Sequence, residues 1–383
     1  MKFWIALAAL LISQLAGIAD GQVPESQILT WMKQLKPLPK VHYSWPVAIV
    51  EKDRAKQTER NKLIYEYIRL THAVSLRGES ASPRVINQAV DICNRVNATN
   101  PKQVASLGIN FSVWHHRFDK ELPPTDFGSS HESEMDFLQK RMTQVRNSVA
   151  SANIRNRANV KVTAILFDSE RFVTKANDEV WNAAITKKLN GAYDAAKSNF
   201  PGARVEWYTR GAIQRSASES GWSQSRFATL DEKGESFACS LYYVPEIEAT
   251  RKTFRLTAEN ATKHGCESVT PWIALASGYR RQTDKFNTWS GNWNYDLIYS
   301  WQLGREINNS WYGRGKNTER FAPWNKAKVA VFYPAPFNRD SPHWGLHFVA
   351  YVSGANGYQL PKKLGQDLRN SNKLEEQAKN PNR

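Results

Sequence analysis

Short apolar runs alternate along this chain with longer stretches in which apolar residues recur every three or four positions. The runs predict strands and the longer stretches predict amphipathic helices. The clearest run, 160–167, is apolar and β-branched, too short for a typical helix, and bounded by polar sequence. Such a segment is expected to be a strand buried on both faces, as in a parallel sheet covered by helices. Further runs predict strands at 45–50, 104–113, 203–208, 237–244, 268–276 and 328–333. Helical spacing predicts helices over 53–77, 131–152, 178–198, 247–263, 294–310 and 343–353. One more is opened by Ser82-Pro83 and carries its apolar residues from Val85 to Val96. Serine is a good N-cap there, and proline fits the first turn.

Strand and helix thus alternate about seven times, the pattern of an α/β fold with a parallel sheet. The expected architecture is a single-domain TIM barrel of the (β/α)8 type over 20–360, with one strand left unread. An open doubly wound sheet would gather its chemistry at one switch point behind a glycine-rich loop. Here polar and aromatic residues recur after most of the runs, and neither GxGxxG nor GxxxxGK[ST] occurs. Residues 1–19 read as a signal peptide: Lys2, an apolar run over 3–15, and the small-residue site Gly17-Ile18-Ala19. A secreted or periplasmic protein without stable membrane insertion is expected. Residues 361–383 are charged and lack aromatics, which predicts a disordered tail.

Charge narrows the partners. Lysine and arginine number 52 against 36 acidic residues, for a net charge of +16 spread along the chain. A basic surface on an exported protein suits a polyanion such as a sulfated or uronic polysaccharide. The absence of a basic arm or tail argues against nucleic acid. The chain holds 14 tryptophans, and rings at Trp289, Trp293, Tyr295, Tyr299 and Trp301 lie close together in sequence. They can serve as core or as platforms on which sugar faces stack. Three cysteines allow one bridge, for which Cys239 and Cys266 are the best-placed pair, and buried free thiols are the better reading. His343 and His347 have the spacing of a zinc-binding helix, but Trp344 stands where a metalloprotease has its glutamate. No metal and no cofactor is expected, and the protein is expected to be a monomer.

The residues that follow the runs form a set: Trp114, His115, His116 and Arg117; Asp168 and Glu170; Arg210; Glu246; Tyr279 and Arg280; Tyr333. In a barrel these converge on the rim at the C-terminal ends of the strands, where α/β barrels carry their chemistry. Strand alternation would send Asp168 and Glu170 to one side, roughly 7 Å apart at Cα. They could equally cap the next helix or pair with Arg171. Glu246 supplies a carboxylate from a second strand, and cleavage of a glycosidic bond uses two. The Arg280-Arg281 pair can hold a sulfate or carboxylate or simply be a solvated charge run, and Arg210 is a candidate for substrate contact. Trp114, His115, Tyr279, Trp289, Trp293 and Tyr333 are the remaining candidates for substrate contact.

Asp168-Ser169-Glu170, Glu246 and the abundant tryptophans give the chain a general resemblance to the barrel glycoside hydrolases. The Asp-x-Glu spacing is similar to the end of the chitinase-type motif, in which the glutamate is the acid and the aspartate orients the substrate. Val162, Ala164 and Leu166 replace the aspartates that precede it there, which counts against an acetamido-assisted mechanism. In many barrel hydrolases the two carboxylates follow the fourth and seventh strands, whereas those found here follow the third and fifth runs. The resemblance implies a glycosidase, and the N-terminal segment and basic charge make the expected one a secreted enzyme acting on an anionic polysaccharide. In this reading Glu170 is the general acid, Asp168 orients it, and Glu246 approaches the sugar from the opposite side. A non-catalytic barrel that binds polyanionic glycan, or a polysaccharide lyase, is the alternative.

Overall fold

The computed structural model describes residues 25–47, 49, 54–100, 104–111, 127–168, 178–208, 210–211, 213–215, 222–224, 233–241, 247–275, 293–308, 322–332 and 344–357. Among the described residues eight parallel strands are formed: β1 (Val41–Ser44), β2 (Ala73–Arg77), β3 (Ser106–Phe111), β4 (Val162–Phe167), β5 (Arg204–Trp207), β6 (Phe237–Leu241), β7 (Val269–Ile273) and β8 (Val329–Phe332). The helices are α1 (Glu25–Gln34), α2 (Arg54–Thr71), α3 (Pro83–Thr99), α4 (Phe127–Asn156), α5 (Glu179–Asn199), α6 (Ile247–Lys263), α7 (Trp293–Asn308) and α8 (Trp344–Asn356). Local chemistry sets their ends. Ser82 Oγ accepts a hydrogen bond from Val85 N at 3.3 Å to start α3, and Gly265, at φ 68°, takes the left-handed turn after α6.

Hydrogen bonding gives two parallel four-stranded sheets, β2-β3-β4-β5 and β6-β7-β8-β1. They meet at both edges. On one side Ser44 N donates to Ser75 Oγ at 3.1 Å and Val47 N to Ser75 O at 3.2 Å. On the other, Glu235 N donates to Val205 O at 3.1 Å, and the Tyr208 and Ser240 hydroxyls pair at 3.0 Å. The strands therefore follow one another from β1 to β8 around a closed (β/α)8 barrel.

The differences from the sequence expectations have physical causes. β1 is Val41–Ser44, ahead of the apolar run 45–50, and its polar His42 is paired internally with Lys40 O and Tyr351 Oη. β2 was absorbed into the long helix expected over 53–77. No glycine or proline separates α2 from β2; His72 makes the turn at φ 66°, its Nε2 against Leu38 O at 2.6 Å. With β2 counted, the run 160–167 is the fourth strand and 237–244 contains the sixth. The serine-rich connection after β5 also holds a short antiparallel hairpin, Ile213–Arg215 with Trp222–Gln224. The Cys239–Cys266 bridge does not form, and all three cysteines are free. Cys239 faces the helix layer on β6, its register partner on β7 is Pro271, and burial pushes its thiol up to about 12. Cys266 lies ahead of β7, with Sγ on Ser268 O at 3.4 Å.

Between the sheet and the helices lies the apolar core. Ile109, Phe111, Ile165, Phe167, Val205 and Trp207 face outward from β3, β4 and β5 and are fully buried. Phe167 stacks on Trp207 at 4.3 Å between centroids. Helices α7 and α8 approach most closely. A methyl group on Gly304 would run into the backbone of Tyr351, and one on Gly354 into the backbone of Trp301. Beneath the barrel, Arg69 holds the end of α1 by donating to Leu35 O at 3.0 Å and Met32 O at 2.6 Å.

Candidate active site

Contacts that skip a strand can cross only the barrel interior, and they identify its lining. Tyr43 on β1 donates to Thr163 Oγ1 on β4 at 2.9 Å, and Thr163 donates to Ser106 Oγ on β3 at 2.6 Å. A Cβ on Gly108 would lie 2.9 Å from the Tyr43 ring, so glycine makes room for that tyrosine. Glu206 on β5 accepts from Thr270 Oγ1 on β7 at 2.8 Å, from Ser236 Oγ, and from Arg204 Nε at 2.9 Å. This carboxylate is wholly buried and fully used. A polar cluster thus fills the lower barrel, where apolar side chains are the common filling.

Two residues further along each strand is the layer above. It contains Asn110 on β3, Tyr208 just after β5, and Trp272 on β7, with Tyr208 and Trp272 edge to face at 5.3 Å. Asn110 and Trp272 are each 1% exposed, and Asn110 Oδ1, Asn110 Nδ2 and Trp272 Nε1 have no hydrogen-bond partner. Asp168 comes next. Its N–H still donates to Phe111 O at 3.2 Å, which extends the β3–β4 ladder past Phe167. Alternation from Leu166, the register partner of Asn110, therefore turns Asp168 inward, where it is 9% exposed. An aspartate on the inner side of β4 at its C-terminal end occupies the position from which barrel enzymes work.

The other sequence candidates divide as follows. Arg210 is taken away from the rim. Its guanidinium donates to Ser236 O at 3.0 Å and lies over the Phe237 ring at 4.9 Å, at the N-terminal end of β6. Trp293 opens α7. Glu170, Glu246, Trp114, His115, Tyr279, Arg280, Trp289 and Tyr333 lie outside the described residues. His347 is buried on α8, with Nδ1 3.3 Å from Ser300 Oγ, while His343 lies outside the described residues. Among the described residues, no three His, Cys, Asp or Glu side chains gather as metal ligands would. Asn110, Tyr208, Ser240 and Trp272 escaped the sequence reading because they sit within or at the edge of apolar runs. The signal was present in Asn110, the one amide side chain in the run Ser106–Phe111.

No family model and no curated protein matches the chain. Among solved structures it is similar to an intracellular xylanase from Thermoanaerobacterium saccharolyticum, with 10% identity, a TM-score of 0.42, and coverage of 82% of this chain and 90% of that one. It is also similar to the GH53 catalytic domain of Ignisphaera aggregans, at 11% identity and a TM-score of 0.40, covering 80% and 82% of the two chains. For an endo-β-1,4-mannanase from Cellulomonas fimi the values are 10%, 0.39, and 88% and 79%. So distant a likeness carries no chemistry across. The barrel rests on this chain's own strand order and its two closed seams, and the chain is an eight-stranded α/β barrel with an inward aspartate at the end of β4.

Proposed function

We propose that this barrel is a glycoside hydrolase that cleaves a polysaccharide at the C-terminal face of its strands. The observation that carries the reading is Asp168, an inward carboxylate at the end of β4, in a barrel whose interior holds the open polar atoms of Asn110 and Trp272. Glu170, two residues on, is the general acid, and Asp168 orients it and tunes its proton. Glu246, following β6, acts on the other side of the sugar. The net charge of +16 favours an anionic substrate, sulfated or uronic. The N-terminal segment 1–19 favours export.

A reducing-sugar screen over neutral, uronic and sulfated polysaccharides tests the activity. Glu170→Gln should lower turnover by about 10²–10⁴-fold on substrates with poor leaving groups and far less on activated aryl glycosides, which need no proton. Glu246→Gln should impair both classes alike. Activity that survives both substitutions would remove this mechanism. Products absorbing as unsaturated sugars would replace hydrolysis by elimination. Salt-sensitive binding without new reducing ends would leave a binding protein.

A further inference from the structure

We propose that Asn110 and Trp272 form the floor of the glycan site and hydrogen-bond the hydroxyl groups of one uncharged sugar unit, which makes them specificity-determining residues. This rests on the glycoside hydrolase reading above. Both side chains are 1% exposed, and their three polar atoms are without partners. Buried polar groups are almost always paired, and leaving one open is destabilising. Pairing within the interior is attainable: Tyr208 and Ser240 satisfy each other at 3.0 Å, and Glu206 accepts three bonds lower down. Asn110 and Trp272 stay open beside these closed pairs, and Asp168 faces inward two residues beyond Leu166, the register partner of Asn110.

The donor set selects the ligand. An amide presents a donor and an acceptor side by side, and a sugar hydroxyl needs both. A carboxylate or sulfate only accepts, so it would leave Asn110 Oδ1 facing negative charge. Trp272 Nε1 adds a donor alone. An anionic group here would also need a buried cation, because an uncompensated charge is costly away from water. Arg204 is committed to Glu206 at 2.9 Å, and Arg77, beside Asn110 in register, is exposed. Among the described residues neither Arg204 nor Arg77 supplies a buried counter-charge there, which favours a neutral sugar unit on the floor.

Asn110→Leu and Trp272→Phe in the full chain test this. Thermal unfolding is measured without ligand, and calorimetric titration uses xylotetraose, a galacturonic acid tetramer and a chondroitin sulfate tetrasaccharide. Asn110→Leu removes an unsatisfied amide, so it should unfold at the wild-type temperature or above. It should bind xylotetraose, the probe built of uncharged units, at least 10-fold more weakly, and a wild type that binds only the two acidic probes overturns the inference. Trp272→Phe keeps the ring and should weaken the same oligosaccharide 3-fold or more. If Asn110→Leu unfolds several degrees lower, the amide has a structural partner and the inference is wrong. Unchanged affinity in both variants, in a wild type that hydrolyses polysaccharide, overturns the inference and leaves the hydrolase reading standing. A wild type that neither hydrolyses polysaccharide nor binds any of the three probes removes both.

Discussion

His42 is uncharged at neutral pH because it has no access to water. It is completely buried between β1 and α8, its Nδ1 donating to Lys40 O at 2.9 Å and its Nε2 accepting from Tyr351 Oη at 2.8 Å. Tyr351 in turn accepts from Asn308 Nδ2 at 3.1 Å. Burial depresses the imidazole from 6.5 to about 3, outweighing the bond to Lys40. Below about 6.5 the unfolded chain therefore takes up a proton that the folded chain refuses, so stability is complete at neutral pH and lost as pH falls toward 3. Between pH 7.5 and 5.5 this one group should cost about 1.4 kcal/mol. Urea midpoints measured at both values should fall less in His42→Phe than in wild type. Glu206 makes a second residue-scale prediction. Glu206→Ala leaves the largely buried Arg204 and two hydroxyls without their acceptor, so denaturant unfolding should register a loss of about 3–5 kcal/mol.

Among the elements, α7 and α8 are joined through glycine. Gly304 packs on the Tyr351 backbone and Gly354 on that of Trp301, each glycine three residues beyond the residue that its partner touches. Backbone in contact with backbone leaves no rotamer that could yield to a methyl group. Gly304→Ala should therefore destabilise by at least 2 kcal/mol despite alanine's better helix propensity, the sign expected when overpacking outweighs propensity. Thermal unfolding of Gly304→Ala beside an exposed helical control such as Ser198→Ala would reveal it. The elements also differ in how openly the sequence announces them. β4 was legible because both faces of its second half are buried, which leaves Ala164–Phe167 apolar throughout. β2 was not, since a left-handed histidine replaced the glycine or proline that usually ends a helix. β1 was displaced because His42 and Ser44 read as polar loop until their interior environment is known. For the site, the Asp168 strand end could be read, whereas Asn110 and Trp272 could not. A polar side chain inside a strand becomes informative only when its lack of a partner is visible.

For the whole molecule, the excess of 16 positive charges makes a prediction about medium and not about any one contact. If the polymer is anionic, its KM should rise steeply as ionic strength increases from 50 to about 500 mM, since screening shortens to a few ångströms. A neutral polymer should show little change, and initial-rate measurements across a salt series on both would separate the two. The barrel's closure has another consequence, for the order in which the chain can fold. β1 pairs with β8, so the first strand to leave the ribosome waits for almost the last. The two ends are clasped by Lys36 N donating to Asn356 Oδ1 at 2.8 Å and Asn356 Nδ2 to Lys36 O at 3.1 Å, 320 residues apart along the chain. The β2–β5 half has its ladder complete long before this clasp can form, while β1 still lacks its ladder partner β8 and His42 its partner Tyr351. Synthesis is thus expected to pass through a half-barrel, with closure as the late and slow event.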